Sequence, residues 1–266
     1  MKFAEQFLKR VKARRRDGRL MGGLYWLALI FWKAARRVPG LNRIHGGLSV
    51  DGHRLRVRLF SYDDLLTVSE EYEACLAEVM PPEGGVAIDA GAFIGRHALA
   101  YARAVGPQGR VVAVEPLAAN FRLLECNVRL NGYGQVSCVR CALGRDSREV
   151  WLAYERETST ASLVRDLPHR QRVEQRSLDD LLDQLGIGAV DVLKIDVEGA
   201  ELEVLEGSQR TLAASPQARL VIEVHGPLDA AGRCPVEDWL AAHGYSLRRL
   251  YDQRRRFCVA ERSTGE

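Results

Sequence analysis

The chain has 266 residues, 47% of them apolar and 27% charged. That composition excludes a disordered, collagen-like or polytopic membrane protein and allows one large domain with an appendage. The formal charge of +3 averages two unlike parts: residues 1–40 hold eleven Lys and Arg against two acids, a net of +9, and the remainder is net −6. A nucleic-acid enzyme would be basic over its main body, so nucleic acid is not an expected partner. Five of the 38 basic residues are Lys, and Lys194 alone lies beyond residue 33. Lys supplies a compact point charge that Arg does not replace. Six cysteines are scattered without a framework; Cys138 and Cys141 form a CxxC on an apparent strand, where positions three apart face opposite sides. They read as reduced core residues and place the chain in the cytoplasm.

In the arm, Phe3, Phe7, Leu8 and Val11 share one helical face with Lys2, Lys9, Arg10 and Lys12 around the rest. An uncharged run from Leu20 to Trp32 follows, rich in aromatics and closed by Lys33, Arg36 and Arg37. It falls short of the ~20 residues that span a bilayer. Two readings fit residues 1–40: a peripheral helix pair on the anionic inner face of the membrane, or an apolar segment packed on the domain or on a second subunit. After Pro39-Gly40, residues 48–59 read as a hairpin about an Asp51-Gly52 turn, with Leu55, Val57 and Leu59 alternating with arginines. A helix is expected from about Ser69 to Met80, closed by Pro81-Pro82.

From Gly85 the pattern alternates strand and helix. VAID (86–89) is a short apolar run ending in an acid, AGAFIG (90–95) a glycine turn, RHALAYARAV (96–105) a helix and RVVAVEP (110–116) a second buried strand. This is a βαβ unit with an acid, Glu115, about 20 residues past the glycines. Gly91 and Gly95 let backbone approach a ligand, and Glu115 can accept both hydroxyls of a ribose. A dinucleotide enzyme would carry G-x-G-x-x-G; here the middle glycine is missing and Asp89 precedes the loop. A carboxylate there repels a pyrophosphate and suits S-adenosylmethionine, which carries a sulfonium, an ammonium and no phosphate.

Downstream, Cys141, Ala142 and Leu143 are expected to end a third strand beside an adenine, and residues 147–176 to form a hairpin insertion. There Thr158, Ser159, Thr160, Arg165, Arg170 and Arg172 either meet a polar acceptor or form a solvated loop. Asn120, one turn past Pro116, either caps or orients that turn. Residues 191–196 form a fourth strand with Lys194 and Asp196 on one side, and Glu198, Gly199 and Glu201 open the next helix, Glu201 as a dipole partner. VIEVH (221–225) places Glu223 and His225 together at the adjacent strand end.

The blocks VAIDAGAFIGRHALAYA, VVAVEPLAANFRLLECNVRLN, ALG, SLDDLL, DVLKIDVEGAELEVLEG and VIEVH, in that order, resemble the FkbM-type S-adenosylmethionine-dependent methyltransferases over about residues 69–261. The resemblance implies an α/β, Rossmann-like class I methyltransferase fold: a mostly parallel seven-stranded sheet with helices on both faces, preceded by the basic arm (1–40) and a lead-in (41–80), the domain itself covering 81–262. It implies S-adenosylmethionine held by Asp89, Gly91, Ala92, Phe93, Gly95, Glu115, Pro116, Asn120, Ala142 and Asp196. The family pattern has Asn where this chain has Phe93, so either a ring against cofactor or substrate or a compensating water stands in for a polar contact. A hydroxyl acceptor on a sugar or other small molecule needs a base. His225 is the expected base, oriented by Glu223, with Lys194 holding the acceptor oxygen. The runner-up places a divalent cation between Asp196 and Glu223. A nicotinamide-dependent oxidoreductase and a cofactor-binding module without catalysis are the alternatives.

Overall fold

The computed structural model describes residues 44–59, 61–68, 76, 78–155, 161–164, 166–225, 234–252 and 255–262. The basic arm, the segment 156–160 and Arg165 lie outside them. Among the described residues no helix is long and apolar enough to cross a membrane.

The lead-in hairpin pairs β1 (His45–Val50) with β2 (His53–Arg58) across Asp51 and Gly52, whose φ angles of 50° and 77° suit the tight turns that Asp-Gly favours. Leu55 and Val57 are buried while Arg54 and Arg56 are exposed, as alternation requires. Arg58 breaks the pattern because α1 (Tyr62–Thr67) follows at once. Ser61 caps that helix by accepting from the Asp64 N–H, and fully buried Asp64 accepts Arg58 N–H at 2.7 Å and its guanidinium at 2.6 Å. This helix precedes the one expected at 69–80, most of which lies outside the described residues. Asp64→Ala would strand a buried guanidinium and cost about 3–5 kcal/mol. Urea unfolding measures this, and a loss below about 1 kcal/mol would show that the pair does not hold the lead-in.

The main body continues through β3 (Val86–Ala90), α2 (Arg96–Val105), β4 (Arg110–Val114), α3 (Ala118–Asn131), β5 (Val136–Val139), β6 (Ala142–Leu143), β7 (Arg148–Tyr154), β8 (Ala161–Ser162) and β9 (His169–Arg176). Then come α4 (Leu178–Leu185), β10 (Val192–Ile195), α5 (Glu201–Glu206), α6 (Gln209–Ala214), β11 (Arg219–Glu223), α7 (Pro235–Ala242), β12 (Tyr245–Asp252) and β13 (Arg255–Arg262). Seven strands form one sheet in the order β12-β13-β11-β10-β3-β4-β5, parallel except that β13 runs against both its neighbours.

Period-two alternation decides which helix covers which face. Ile88, Val112, Leu193 and Ile222 point to the side covered by α4, α5 and α7 through Leu181, Leu205 and Leu240. Ala87, Val111, Val192 and Val221 point to the side covered by α2 and α3 through Leu99 and Leu124, where Leu55 and Val57 of the hairpin join them. The third strand ends at Val139; Ala142 and Leu143 leave the main sheet and pair in parallel with β9 in a second, four-stranded sheet, β6-β9-β7-β8. That sheet is the expected insertion, with β7 and β9 antiparallel. Cys138 and Cys141 fall on either side of the break as free thiols, pushed by burial up to about 11 and about 12.

Candidate active site at the strand switch

From β3 the chain adds β4 and β5 on one side, and later β10 and β11 on the other. Side chains and turns therefore splay apart at the carboxyl ends of β3 and β10, and a crevice opens there. Its walls come from the glycine turn, from Glu115 and Pro116 beyond β4, from Cys141–Leu143, from Asp196–Glu198 and from Glu223. The lead-in closes one side with Asp63, Leu66 and Thr67, and the second sheet another with Leu152, Ala161 and Leu163. Among the described residues no Lys or Arg lines it, whereas Asp63, Glu115, Asp196, Glu198 and Glu223 all do.

The glycine turn is built by backbone. The Gly91 and Ala92 N–H groups both donate to Val114 O at 2.9 Å. Gly91 has φ +82°, and a Cβ there would stand 1.8 Å from the Asp196 carbonyl oxygen, so β3 and β10 meet at their ends only because the residue is glycine. Gly95 caps α2 with φ +96° against Leu124. Phe93 also adopts a left-handed conformation, φ +51°, costing about 1–2 kcal/mol in a residue with a Cβ. Asn, the family residue at this position, visits that region far more readily. The Phe93 ring packs with the lead-in cluster, 5.5 Å from the Arg58 guanidinium, and Phe93 also lines the crevice.

Glu115 ties the turn to the next helix. Its carboxylate accepts the Phe93 N–H at 3.0 Å, the Leu117 N–H at 2.9 Å and the Asn120 amide at 3.3 Å. Burial pushes its pKa up to about 7 against the pull of those hydrogen bonds. Asn120, buried, thus orients Glu115. Pro116 and Ala142 line the wall as expected.

Beneath the crevice lies Asp89, fully buried, with neither carboxylate oxygen accepting a hydrogen bond and the Lys194 ammonium 3.6 Å away. Lys194 is itself 3% exposed and donates to Asp196 at 3.2 Å. The sequence puts Lys194 on the acceptor oxygen; the structure places it under the floor, balancing two carboxylates, because on a parallel strand it stands in register with Asp89.

Beside the crevice four carboxylates surround His225. Its Nδ1 is 2.8 Å from Glu201, while Nε2 is 3.5 Å from Glu223, 3.7 Å from Glu198 and 3.9 Å from Asp196. Burial works against charge on the ring, but the Glu201 hydrogen bond and the Asp196, Glu198 and Glu223 charges outweigh it and hold its pKa up at about 9. The short hydrogen bond to the imidazole thus comes from Glu201, with Glu223, the expected partner, 3.5 Å away on the Nε2 side. By sequence Glu201 is a helix-dipole partner; its contact with His225 is tertiary and leaves no local mark. Glu198 and Gly199, with φ of 57° and 114°, form a turn ahead of α5 rather than its first residues. The lead-in contribution had a readable cue, since Ser61 three places before Asp64 is a helix-start pattern. Asp196, Glu223 and His225 offer atoms within 4.8 Å of one another, but the Lys194 ammonium already neutralises Asp196 from 3.2 Å, which weakens the divalent-cation reading. Arg170 and Arg172 pair with Asp166 and Glu149 on the exposed insertion.

The Methyltransferase FkbM domain model matches residues 89–247, more than half of the chain. AMB antimetabolite synthetase AmbE of Pseudomonas aeruginosa is 32% identical over 210 residues, covering 64% of this chain and 10% of that protein. Methyltransferase 1 of Beauveria bassiana is 28% identical over 148 residues, covering 47% of this chain and 59% of its own length. Each match thus spans less than two thirds of the curated relative. Methyltransferase FkbM from Methylobacillus flagellatus KT aligns with a TM-score of 0.49 at 20% identity, over 73% of this chain and 47% of that one. The domain match covers the glycine turn, the lysine-bearing strand and His225 together, and the chain belongs to the FkbM methyltransferase family.

Proposed function

We propose that the chain is an S-adenosylmethionine-dependent methyltransferase acting on a hydroxyl of a sugar or another small molecule. The observation that carries the reading is a crevice at the strand switch lined, among the described residues, by five carboxylates and by no Lys or Arg. Such a lining repels the pyrophosphate of a dinucleotide and attracts a cofactor that carries only positive charge. Gly91 leaves room for close backbone approach at the crevice, and Asp196, Glu198 and Glu223 set carboxylates on the wall beside it. Both features fit the cofactor's cationic amino-acid end. Glu115 would take the ribose hydroxyls, and Cys141, Ala142 and Leu143 would face the adenine. When bound, S-adenosylmethionine supplies a methyl group on a sulfonium that departs as a neutral thioether. The chain's own tasks are then to hold the acceptor in line and to take its hydroxyl proton, for which His225 is the base.

Calorimetry with S-adenosylhomocysteine and with NAD tests the cofactor assignment. Binding of the first and none of the second is expected; the reverse overturns it. Acceptors come from a screen of glycans and polyketides with methyl-labelled cofactor. Glu115 adds a pH signature. Its raised pKa means that its contribution to stability is full below 4.5 and is lost as pH rises through about 7. Ribose hydroxyls favour its charged form, so S-adenosylhomocysteine should bind more tightly at pH 8 than at pH 6. Glu115→Gln should bind about tenfold or more weakly and lose most of that pH dependence. A wild-type affinity flat between those pH values would remove Glu115 from the ribose.

A further inference from the structure

An imidazole that serves as a base needs one nitrogen held so that the other faces the proton it takes, and the partner of the held nitrogen decides which is which. Among the described residues four acids face His225: Asp196 and Glu198 from the turn after β10, Glu201 from α5 and Glu223 from β11, with the Lys194 ammonium behind Asp196. One of the four is at hydrogen-bonding distance. Glu201 meets Nδ1 at 2.8 Å, whereas the other three stand at 3.5–3.9 Å on the Nε2 side. Glu201 is 1% exposed, and the same oxygen accepts the Gly199 N–H at 2.8 Å, so backbone holds the carboxylate in place. Three of the acids line the crevice, while His225 and Glu201 stand behind them, His225 with Nε2 toward the three and Glu201 on the far side at Nδ1.

We propose that Glu201 is the positioning residue of this site: it keeps the proton on Nδ1 of His225 and thereby turns Nε2 toward the crevice as the nitrogen that takes the acceptor's proton. The proton leaving the acceptor hydroxyl goes to Nε2, and the resulting imidazolium keeps its Nδ1–H on Glu201. The importance of this for turnover rests on the methyl-transfer reading above; the tautomer itself does not.

The test is nitrogen NMR of the histidine rings in the full-length protein, labelled with ¹⁵N-histidine and titrated from pH 6 to 10. Wild type should lose its proton from Nε2 and keep Nδ1–H. Glu201→Gln preserves shape and the Gly199 bond but removes the charge, and should lower the His225 midpoint by about one to three pH units. Glu201→Ala should give a mixture of tautomers. S-adenosylhomocysteine affinity should stay within about threefold in both variants, as expected for a residue outside the cofactor wall. An Nε2–H tautomer in wild type, or a midpoint unmoved in Glu201→Gln, overturns the proposal. If Glu201→Ala does not fold, the wild-type tautomer and the Gln variant still decide. Failure of S-adenosylhomocysteine to bind wild type while the tautomer holds would instead refute the cofactor reading. Where turnover is measured, Glu201→Gln should move the alkaline pH profile down by the same interval without raising cofactor KM, which a residue that only caps a helix would not do.

Discussion

Gly91→Ala should cost several kcal/mol of stability and abolish cofactor binding. The added Cβ would stand 1.8 Å from a backbone oxygen, that of Asp196, at a φ of +82°. Neither side can yield, because the Asp196 N–H is bonded to Ala90 O at 3.0 Å and the Gly91 N–H to Val114 O at 2.9 Å, so both backbones belong to the sheet ladder. Overpacking costs about 1–3 kcal/mol, and a left-handed residue with a Cβ about 1–2 more. For a domain of this size the sum lowers the melting temperature by about 10 °C. Any relief that parts β3 from β10 also opens the crevice between the two strand ends. Gly186→Ala is the control: it too has a positive φ, +64°, but its Cβ meets nothing within 4 Å. It should lose about 1 kcal/mol and keep its affinity for S-adenosylhomocysteine. Thermal unfolding and calorimetry on the two variants give the comparison, and a Gly91→Ala protein as stable and as tightly binding as the control would contradict the close approach.

His225→Ala should reduce turnover by about 10²–10⁴-fold while S-adenosylhomocysteine affinity holds, since a positioned base contributes on that scale. The neutral ring is the working form, and the surrounding acids hold its proton up to about pH 9. Wild-type turnover should therefore climb on the alkaline side, and the residual activity of the variant should not. Stability runs the other way. A pKa raised from 6.5 to about 9 contributes stability that is full below pH 6.5 and is lost as pH rises through about 9. The shift corresponds to about 3 kcal/mol. His225→Ala should thus destabilise most at pH 6 and flatten the fall in wild-type stability between pH 6.5 and 9.5, as read from denaturant midpoints. Equal pH dependence in both proteins would show that the cluster does not hold the proton.

Much of this protein is readable along the chain because the signals are local. Alternation at Leu55 and Val57, the Asp51-Gly52 turn, and the apolar runs 86–90, 110–114 and 192–195 each declare a strand within a few residues. Gly91, Gly95 and Glu115 declare the ligand turn because φ and strand length are properties of the segment itself. The break at Cys141 is less legible: an apolar stretch carries no mark of which sheet it joins, and β6 chooses β9 only after the insertion has folded back. The helix at Tyr62–Thr67 is only six residues long, too short for an apolar period, and its one local mark is the Ser61 cap.

The acidic body behind a near-neutral total charge, the order of strands and helices, and the candidates Asp89, Glu115, Asp196, Glu223 and His225 follow from the sequence alone. Roles among them do not. Glu201 and His225 are 24 positions apart and meet because β10 and β11 lie side by side in parallel, which brings the turn after one strand against the end of the other. Lys194 looks free for an acceptor until register sets it beside Asp89 and closes the floor above it. Charge and period are carried by each residue and its neighbours, so the chain displays them. Which carboxylate holds which nitrogen depends on distances of an ångström between strands remote in sequence, and only folding sets those.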